Sequence, residues 1–212
     1  MSRSSLIRTL KVLASVAALT PALVLAWRVS QGTLRPDPVE RLTHVTGLTG
    51  LILLLVTLAV TPLRRLTGWN DLIRFRRMLG LWAFSYVVLH FLIYLVFEHF
   101  FSLELIAEDI LERPYVTVGF LAFLILILLA VTSTRGWIRR LGGKRWGRLH
   151  QMIYVAAALA VLHFLWLVKI DTREPVIYGL VLVVLLGVRI RRREKRAKRA
   201  KREKREKRDA RE

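Results

Sequence analysis

No cysteine occurs anywhere in the chain, so disulfides, thiolate catalysis and cysteine-ligated iron–sulfur or zinc centres are excluded, and any metal must find histidine or oxygen. Acidic residues are scarce: 15 stand against 35 Lys and Arg, a formal net charge of +20. Familiar catalytic signatures are missing too. There is no HExxH, no glycine-rich dinucleotide fingerprint, no nucleophile pair and no carboxylate pair in an apolar run. Gly142-Gly143-Lys144 lacks the spacing of a phosphate loop. These absences leave no familiar machinery for substrate chemistry within this chain.

What is abundant is apolar. Hydrophobic residues fill 54% of the 212 positions, and a soluble domain rarely pairs that with so much charge, so the two must be segregated along the sequence. Six apolar stretches lie at about 12–27, 44–63, 78–97, 115–134, 149–168 and 175–188, each bounded by charges or by Pro and Gly. Because roughly 20 apolar residues cross the hydrocarbon core, the expected fold is all-α: a polytopic membrane bundle of six transmembrane helices. The first and last runs are short and need flanking residues such as Lys11 and Arg189 to snorkel to the interface. The first run, preceded by Arg3, Arg8 and Lys11, resembles a signal peptide, but without a clear small-x-small exit it is read as a retained span.

Orientation follows from the basic loops, since Lys and Arg stay on the cytoplasmic side. The N-terminus holds three, the 64–77 loop five, the 135–148 loop six and the chain from Arg189 onward fifteen, while the other three loops share six. Both termini are therefore expected in the cytoplasm. The acidic 98–113 loop, with Glu98, Glu104, Glu108, Asp109 and Glu112, is expected outside, either as a docking surface for a soluble partner or simply as a solvated loop. The expected organisation is a cytoplasmic N-terminus (1–11), a membrane domain (12–190) and a basic cytoplasmic tail (191–212). That tail repeats Lys-Arg-Glu triplets that build no core, and it suits a topology anchor on anionic membrane lipid. With no interleaved aromatic residue and no binding fold, it is not read as a nucleic-acid site.

Ionisable groups inside spans are costly and usually mark function. Apart from tyrosine, the central parts of the six runs hold only His90, in the third, and His163, in the fifth. Both spans run outward, and each histidine lies some 13–14 residues from its start, roughly 20 Å deep at 1.5 Å per residue. Two imidazoles at one level on neighbouring helices can bind haem iron from opposite faces. The plainer alternative is that each merely hydrogen-bonds to a neighbouring backbone, Thr or Tyr. His150 lies 13 residues before His163, about 20 Å nearer the cytoplasm. It is either an interfacial histidine or a contact for a second haem or a flavin. The equivalent place on the third span holds Arg76 and Arg77, which are not ordinary haem ligands but are candidate cofactor-binding residues of an inner-side site, where the basic loops 64–77 and 135–148 either hold an anionic flavin phosphate or serve topology alone. His44 and His99 read as interfacial histidines, and Trp27, Trp69, Trp82 and Trp137 as aromatic-belt residues.

Short motifs run in order along the chain: Arg77-Met-Leu-Gly-Leu, His90 with Tyr94 four later, Pro114-Tyr115-Val116-Thr117-Val118-Gly119, Thr132-Ser133, Trp146-x-x-Leu149-His150-x-x-x-Tyr154 and His163. Over roughly residues 10–190 this pattern resembles the MsrQ (formerly YedZ) family of the ferric reductase-like transmembrane superfamily. The resemblance implies a multi-pass protein of the bacterial inner membrane that carries haem b and is also described as binding FMN. It implies electrons drawn from the quinone pool or a cytosolic flavin reductase and delivered to MsrP, a periplasmic molybdopterin subunit that repairs methionine sulfoxide. His90 and His163 would be the haem ligands, with His150 the remaining family histidine. Arg76 breaks the four-histidine superfamily pattern, and with it the absence of any following FAD or NAD domain favours this family over two-haem ferric reductases. A ferric reductase-like quinol or metal reductase with another acceptor stays open. So does a non-redox scaffold or transporter component whose histidines are polar glue between helices.

Overall fold

The computed structural model describes residues 2–209, and for 191–205 and 207–209 the backbone only. The described residues form eight helices in the order α1 (Arg3–Ser30), α2 (Pro38–Thr67), α3 (Arg76–Ile93), α4 (Leu103–Glu112), α5 (Pro114–Val131), α6 (Arg135–Leu149), α7 (Ile153–Leu167) and α8 (Arg173–Asp209). A 3₁₀ turn over Asn70–Phe75 leads into α3, and a wide π turn over Tyr94–Glu98 continues it. Another 3₁₀ turn, His150–Met152, joins α6 to α7.

Local chemistry sets the ends. Asp37 accepts hydrogen bonds from the backbone of Val39 and Glu40 ahead of Pro38. A side-chain acceptor before a first-turn proline starts a helix at low cost. Gly68, at φ 72°, closes α2 in the left-handed conformation. Gly142, at φ 70°, bends α6. Ser102 caps the short α4, and Pro114 starts α5 immediately after it.

The apolar runs lie largely on helices, although the fourth passes the end of α5 at Val131 and the fifth takes in the His150–Met152 turn and ends on Val168. Five helical segments are long and apolar enough to cross a membrane: α1, α2, Asn70–Glu98, α5 and Arg135–Leu167. The sixth run occupies the first half of α8, where every eighteen-residue stretch from Arg173 to Arg192 takes in three charged residues. Its fourteen apolar residues rise about 21 Å, short of the roughly 30 Å hydrocarbon core. The tail residues 210–212 lie outside the described part.

α2 packs along α3, and α5 along α7, as the two most extensive pairings. Leu51, Leu54, Leu58, Ala83, Leu126, Ala156, Ala157 and Leu182 form the shared core, with Ala83, Ala156 and Ala157 almost fully buried where backbones approach closely. Leu13 and Val183, on the outer helices, are 58% and 65% exposed, as suits surfaces that meet lipid rather than protein.

Two prolines interrupt helices, and each gap is filled by a neighbour. At Pro21 of α1, the Tyr86 hydroxyl from α3 accepts from the Ala22 N–H (3.1 Å) and donates to the Ala18 carbonyl (2.6 Å). Pro62 of α2 has no N–H for the Leu58 carbonyl, and the Arg189 guanidinium from α8 donates to that oxygen at 2.6 Å. In hydrocarbon no water can do this, so a partner helix must.

Candidate functional site

The α2–α3 and α5–α7 pairs build one device twice. His90 of α3 donates its Nδ1 proton to the Thr43 carbonyl of α2 at 2.9 Å, and His163 of α7 donates to the Tyr115 carbonyl of α5 at 2.7 Å. Four residues beyond each carbonyl stands a glycine, Gly47 and Gly119, and each imidazole lies against it. A Cβ on Gly47 would meet His90 Cε1 and Nδ1 at 3.0 Å, and one on Gly119 would meet His163 Nδ1 at 2.7 Å. Glycine leaves room for the ring at Gly119, and at Gly47 a side chain would require His90 to give way.

The two seats face each other. The ring centres of His90 and His163 are 6.2 Å apart, with planes inclined at 82°. A donated Nδ1 proton fixes the tautomer and leaves each Nε2 with a free lone pair. The ring atoms nearest each glycine are Cε1, Nδ1 and Cγ, so Nε2 is the nitrogen farther from the seat. Two imidazoles bound to one metal from opposite sides have centres about 6 Å apart, since each nitrogen–metal bond is about 2 Å and the ring centre lies about 1 Å behind the nitrogen.

A cavity of about 760 Å³ surrounds the pair. Leu51, Leu54, Ala122, Leu126 and Ala160 line its interior, and Asp37, Glu40, Glu98, Asp109 and Asp171 edge its acidic end. The Thr43 hydroxyl, in the cavity wall, is buried without a partner. Paired imidazoles with free Nε2 atoms, a large apolar slot and an orphaned hydroxyl on its wall together fit haem. Among the described residues no group of three or more His, Asp or Glu could hold a bare metal ion.

At the acidic end, Asp109 is buried and fully engaged. Arg113 pairs with it at 2.8 Å, the Tyr94 hydroxyl donates to it at 2.9 Å and His99 Nε2 lies 3.2 Å away. The Arg113 guanidinium also donates to the Tyr115 hydroxyl at 3.3 Å, and this bond, with the Asp109 carboxylate, raises its pKa above the ordinary value. Of the acidic loop expected to be solvated, one member is therefore a structural anchor, whereas Glu104, Glu108 and Glu112 are exposed. His99, whose side chain is only 12% exposed, is packed on Tyr94 with ring centres 4.5 Å apart. His44 lines the cavity beside Phe164. Sequence reading placed both at the membrane interface, because neither can be told from a surface histidine until Asp109 and Phe164 are brought beside them.

His150 stands apart from this cavity. Its ring stacks on Trp146 with centres 3.9 Å apart, its Nδ1 donates to the Trp146 carbonyl and its Nε2 lies 3.4 Å from the Ser133 hydroxyl. Arg76 is half-buried, close enough for its charge to act on both His150 and Arg189, while Arg77 is exposed. The glycine seats went unnoticed as such in the sequence. Their one signal is the shared spacing, 43 residues from Gly47 to His90 and 44 from Gly119 to His163.

Comparison with known proteins gives the chain's family. Residues 46–161 match the family described as the ferric reductase like transmembrane component, a segment that includes Gly47, His90 and Gly119. A protein of Xanthomonas axonopodis pv. citri (strain 306) is 52% identical over 189 residues, 86% of each chain. One of Herminiimonas arsenicoxydans is 49% identical over 183 residues, 85% of this chain and 84% of its own. Both relatives bear the name protein-methionine-sulfoxide reductase heme-binding subunit MsrQ.

Proposed function

Because this chain belongs to the MsrQ family, within the ferric reductase-like transmembrane proteins, we propose that it is a haem b-containing electron-transfer subunit of the bacterial inner membrane. It passes electrons from the quinone pool or a cytosolic flavin reductase, with FMN as a further cofactor, to the periplasmic molybdopterin reductase MsrP, which repairs methionine sulfoxide. Six spans with both termini cytoplasmic put the acidic end of the cavity on the periplasmic side, toward that partner.

The observation that carries this reading is the pair of histidine seats. His90 and His163 would hold the haem, which when bound would supply a centre that accepts and gives up one electron at a time. The chain's own residues do the positioning. The Thr43 and Tyr115 carbonyls hold the Nδ1 protons and keep both Nε2 atoms available, as outer partners of ligand histidines generally do. Gly47 and Gly119 let the rings lie close against α2 and α5. Leu51, Leu54 and Leu126 keep water from the slot, so that a low-dielectric wall and the ligand hydrogen bonds tune the potential.

The test is a dithionite-reduced minus oxidised absorption spectrum of the detergent-purified protein beside H90A and H163A. Sharp low-spin b-type bands in the parent, lost in both variants, are the expected result. A haem-replete preparation of the parent without such bands would leave the histidines as polar glue.

A further inference from the structure

The stretch that joins the two segments Asn70–Glu98 and Pro114–Val131, each long and apolar enough to cross a membrane, carries apolar side chains that stand clear of the bundle. Phe100 and Phe101 follow the π turn at the end of α3 and are 80% and 62% exposed. Both take positive φ, 48° and 60°, a conformation that glycine or asparagine fills at low cost and a bulky residue does not. Backbone bonds hold the turn, from the Phe101 N–H to the Leu95 carbonyl at 2.9 Å and from the Ser102 N–H to the His99 carbonyl at 2.8 Å. The result is two successive aromatic rings displayed away from the core.

α4, which follows at once, is divided lengthwise. Ile106 and Asp109 are buried against the bundle. Leu103, Ala107 and Leu111 recur every four residues and share one stripe, while Glu104, Glu108 and Glu112 form the next stripe round the helix. All six are exposed, Leu103 and Leu111 at 81% and 84%. Around the axis the order is therefore bundle, apolar stripe, acidic stripe. A helix lying flat at a membrane surface beside the bundle meets protein, lipid and water in that same order. Three carboxylates one turn apart need hydration, so the acidic stripe marks the water side. Level agrees as well, since the ten residues of α4 span about 15 Å and are tied at both ends to segments that can cross the bilayer. Phe97, half exposed on the π turn, carries the apolar surface without a break from the first of those segments to Phe100.

We propose that the 97–112 stretch is a membrane-surface anchor. Phe97, Phe100, Phe101, Leu103 and Leu111 enter the leaflet at the acidic end of the bundle, and Glu104, Glu108 and Glu112 stay in water. The partner is the apolar layer of the lipid and not its charge, because the adjoining stripe is acidic and gains nothing from anionic headgroups. On its buried flank the same helix carries Asp109, which holds the Tyr94 hydroxyl at 2.9 Å on the cavity wall, so the lipid-bound helix also frames the mouth of the slot. The inference rests on reading Asn70–Glu98 as a membrane span.

The chain has no cysteine, so single cysteines can be labelled with an environment-sensitive NBD maleimide without background. Leu92→Cys reports the span, Leu103→Cys and Leu111→Cys the apolar stripe, and Glu104→Cys and Glu108→Cys the acidic stripe. Each is placed in the full chain in phosphatidylcholine nanodiscs, with and without phosphatidylglycerol, and quenching by doxyl-labelled lipid and by aqueous iodide is measured. Labels on the apolar stripe should be quenched by the lipid and be several-fold less open to iodide than those on the acidic stripe, with no gain from phosphatidylglycerol. Equal iodide quenching on the two stripes overturns the proposal, and so does shielding that needs the anionic lipid. A Leu92 label open to iodide sinks the span reading instead. Haem bands read in the same samples show that each variant keeps its fold.

Discussion

His163 rests so closely on Gly119 that a Cβ built there would stand 2.7 Å from its Nδ1, closer than a Cβ packs against another heavy atom. The same helix supplies, one turn earlier, the Tyr115 carbonyl that takes the Nδ1 proton. Ring position and tautomer are therefore set together, by one turn of α5. On α2, Thr43 and Gly47 do the same for His90, slightly less tightly.

Gly119→Ala is accordingly expected to displace His163 and to lower haem affinity by about tenfold or more, a change of roughly 1.4 kcal/mol. Gly47→Ala, where contact begins at 3.0 Å, should cost less. Haem-to-protein ratio by pyridine haemochrome, followed during dilution, measures both. Equal retention in G119A and the parent would show that the seat does not constrain the ligand.

Tyr86→Phe removes the hydroxyl that serves both Ala18 and Ala22 at the Pro21 break. Leaving two backbone groups short of a partner in hydrocarbon should lower stability by about 2 kcal/mol. In a Pro21→Ala background the loss should be much smaller, because a continuous helix can satisfy its own carbonyls. Unfolding in mixed micelles across the four-member cycle reads this coupling.

Arg189→Met should behave in parallel at Pro62. It strips the Leu58 carbonyl of its donor, at a cost of about 1.5–3 kcal/mol for a bond to a charged group. Pro62→Ala restores an N–H for the same oxygen and should recover most of that cost. Additive effects in the cycle would mean that Arg189 stabilises the bundle by other contacts.

The acidic loop divides into structural and exposed members. Asp109→Asn should destabilise the outer end by about 2 kcal/mol, because the buried carboxylate serves Arg113, Tyr94 and His99. Replacing Glu104, Glu108 and Glu112 together with Gln should leave stability unchanged. If this face docks MsrP, that triple variant instead slows electron delivery at low salt and loses the salt dependence of the rate. Stopped-flow haem reoxidation by MsrP at two ionic strengths separates the outcomes.

Much of the fold was legible because it follows from local quantities. Apolar runs between charges mark helices that hydrocarbon can accept, and the first five runs lie on the five segments long and apolar enough to cross a membrane. The short run in α8 was recognisable as the weakest, since fourteen apolar residues are few for a crossing. The common level of His90 and His163 came from counting residues at a fixed rise. What escaped was every feature that depends on which faces of two helices meet. Asp109 reads as one acid in an exposed loop until α4 folds against α5. Pro21 reads as a possible break until Tyr86 reaches it.

By itself, then, the sequence marked the apolar helical segments, the shared level of His90 and His163 and which end is basic, because rise per residue and hydropathy belong to each segment alone. Only the tertiary structure decided that His90 and His163 face each other across 6.2 Å, each on a glycine and each bonded to a carbonyl of a different helix. Helix rotation and pairing are set by packing between residues far apart in the chain, and no local periodicity carries that information.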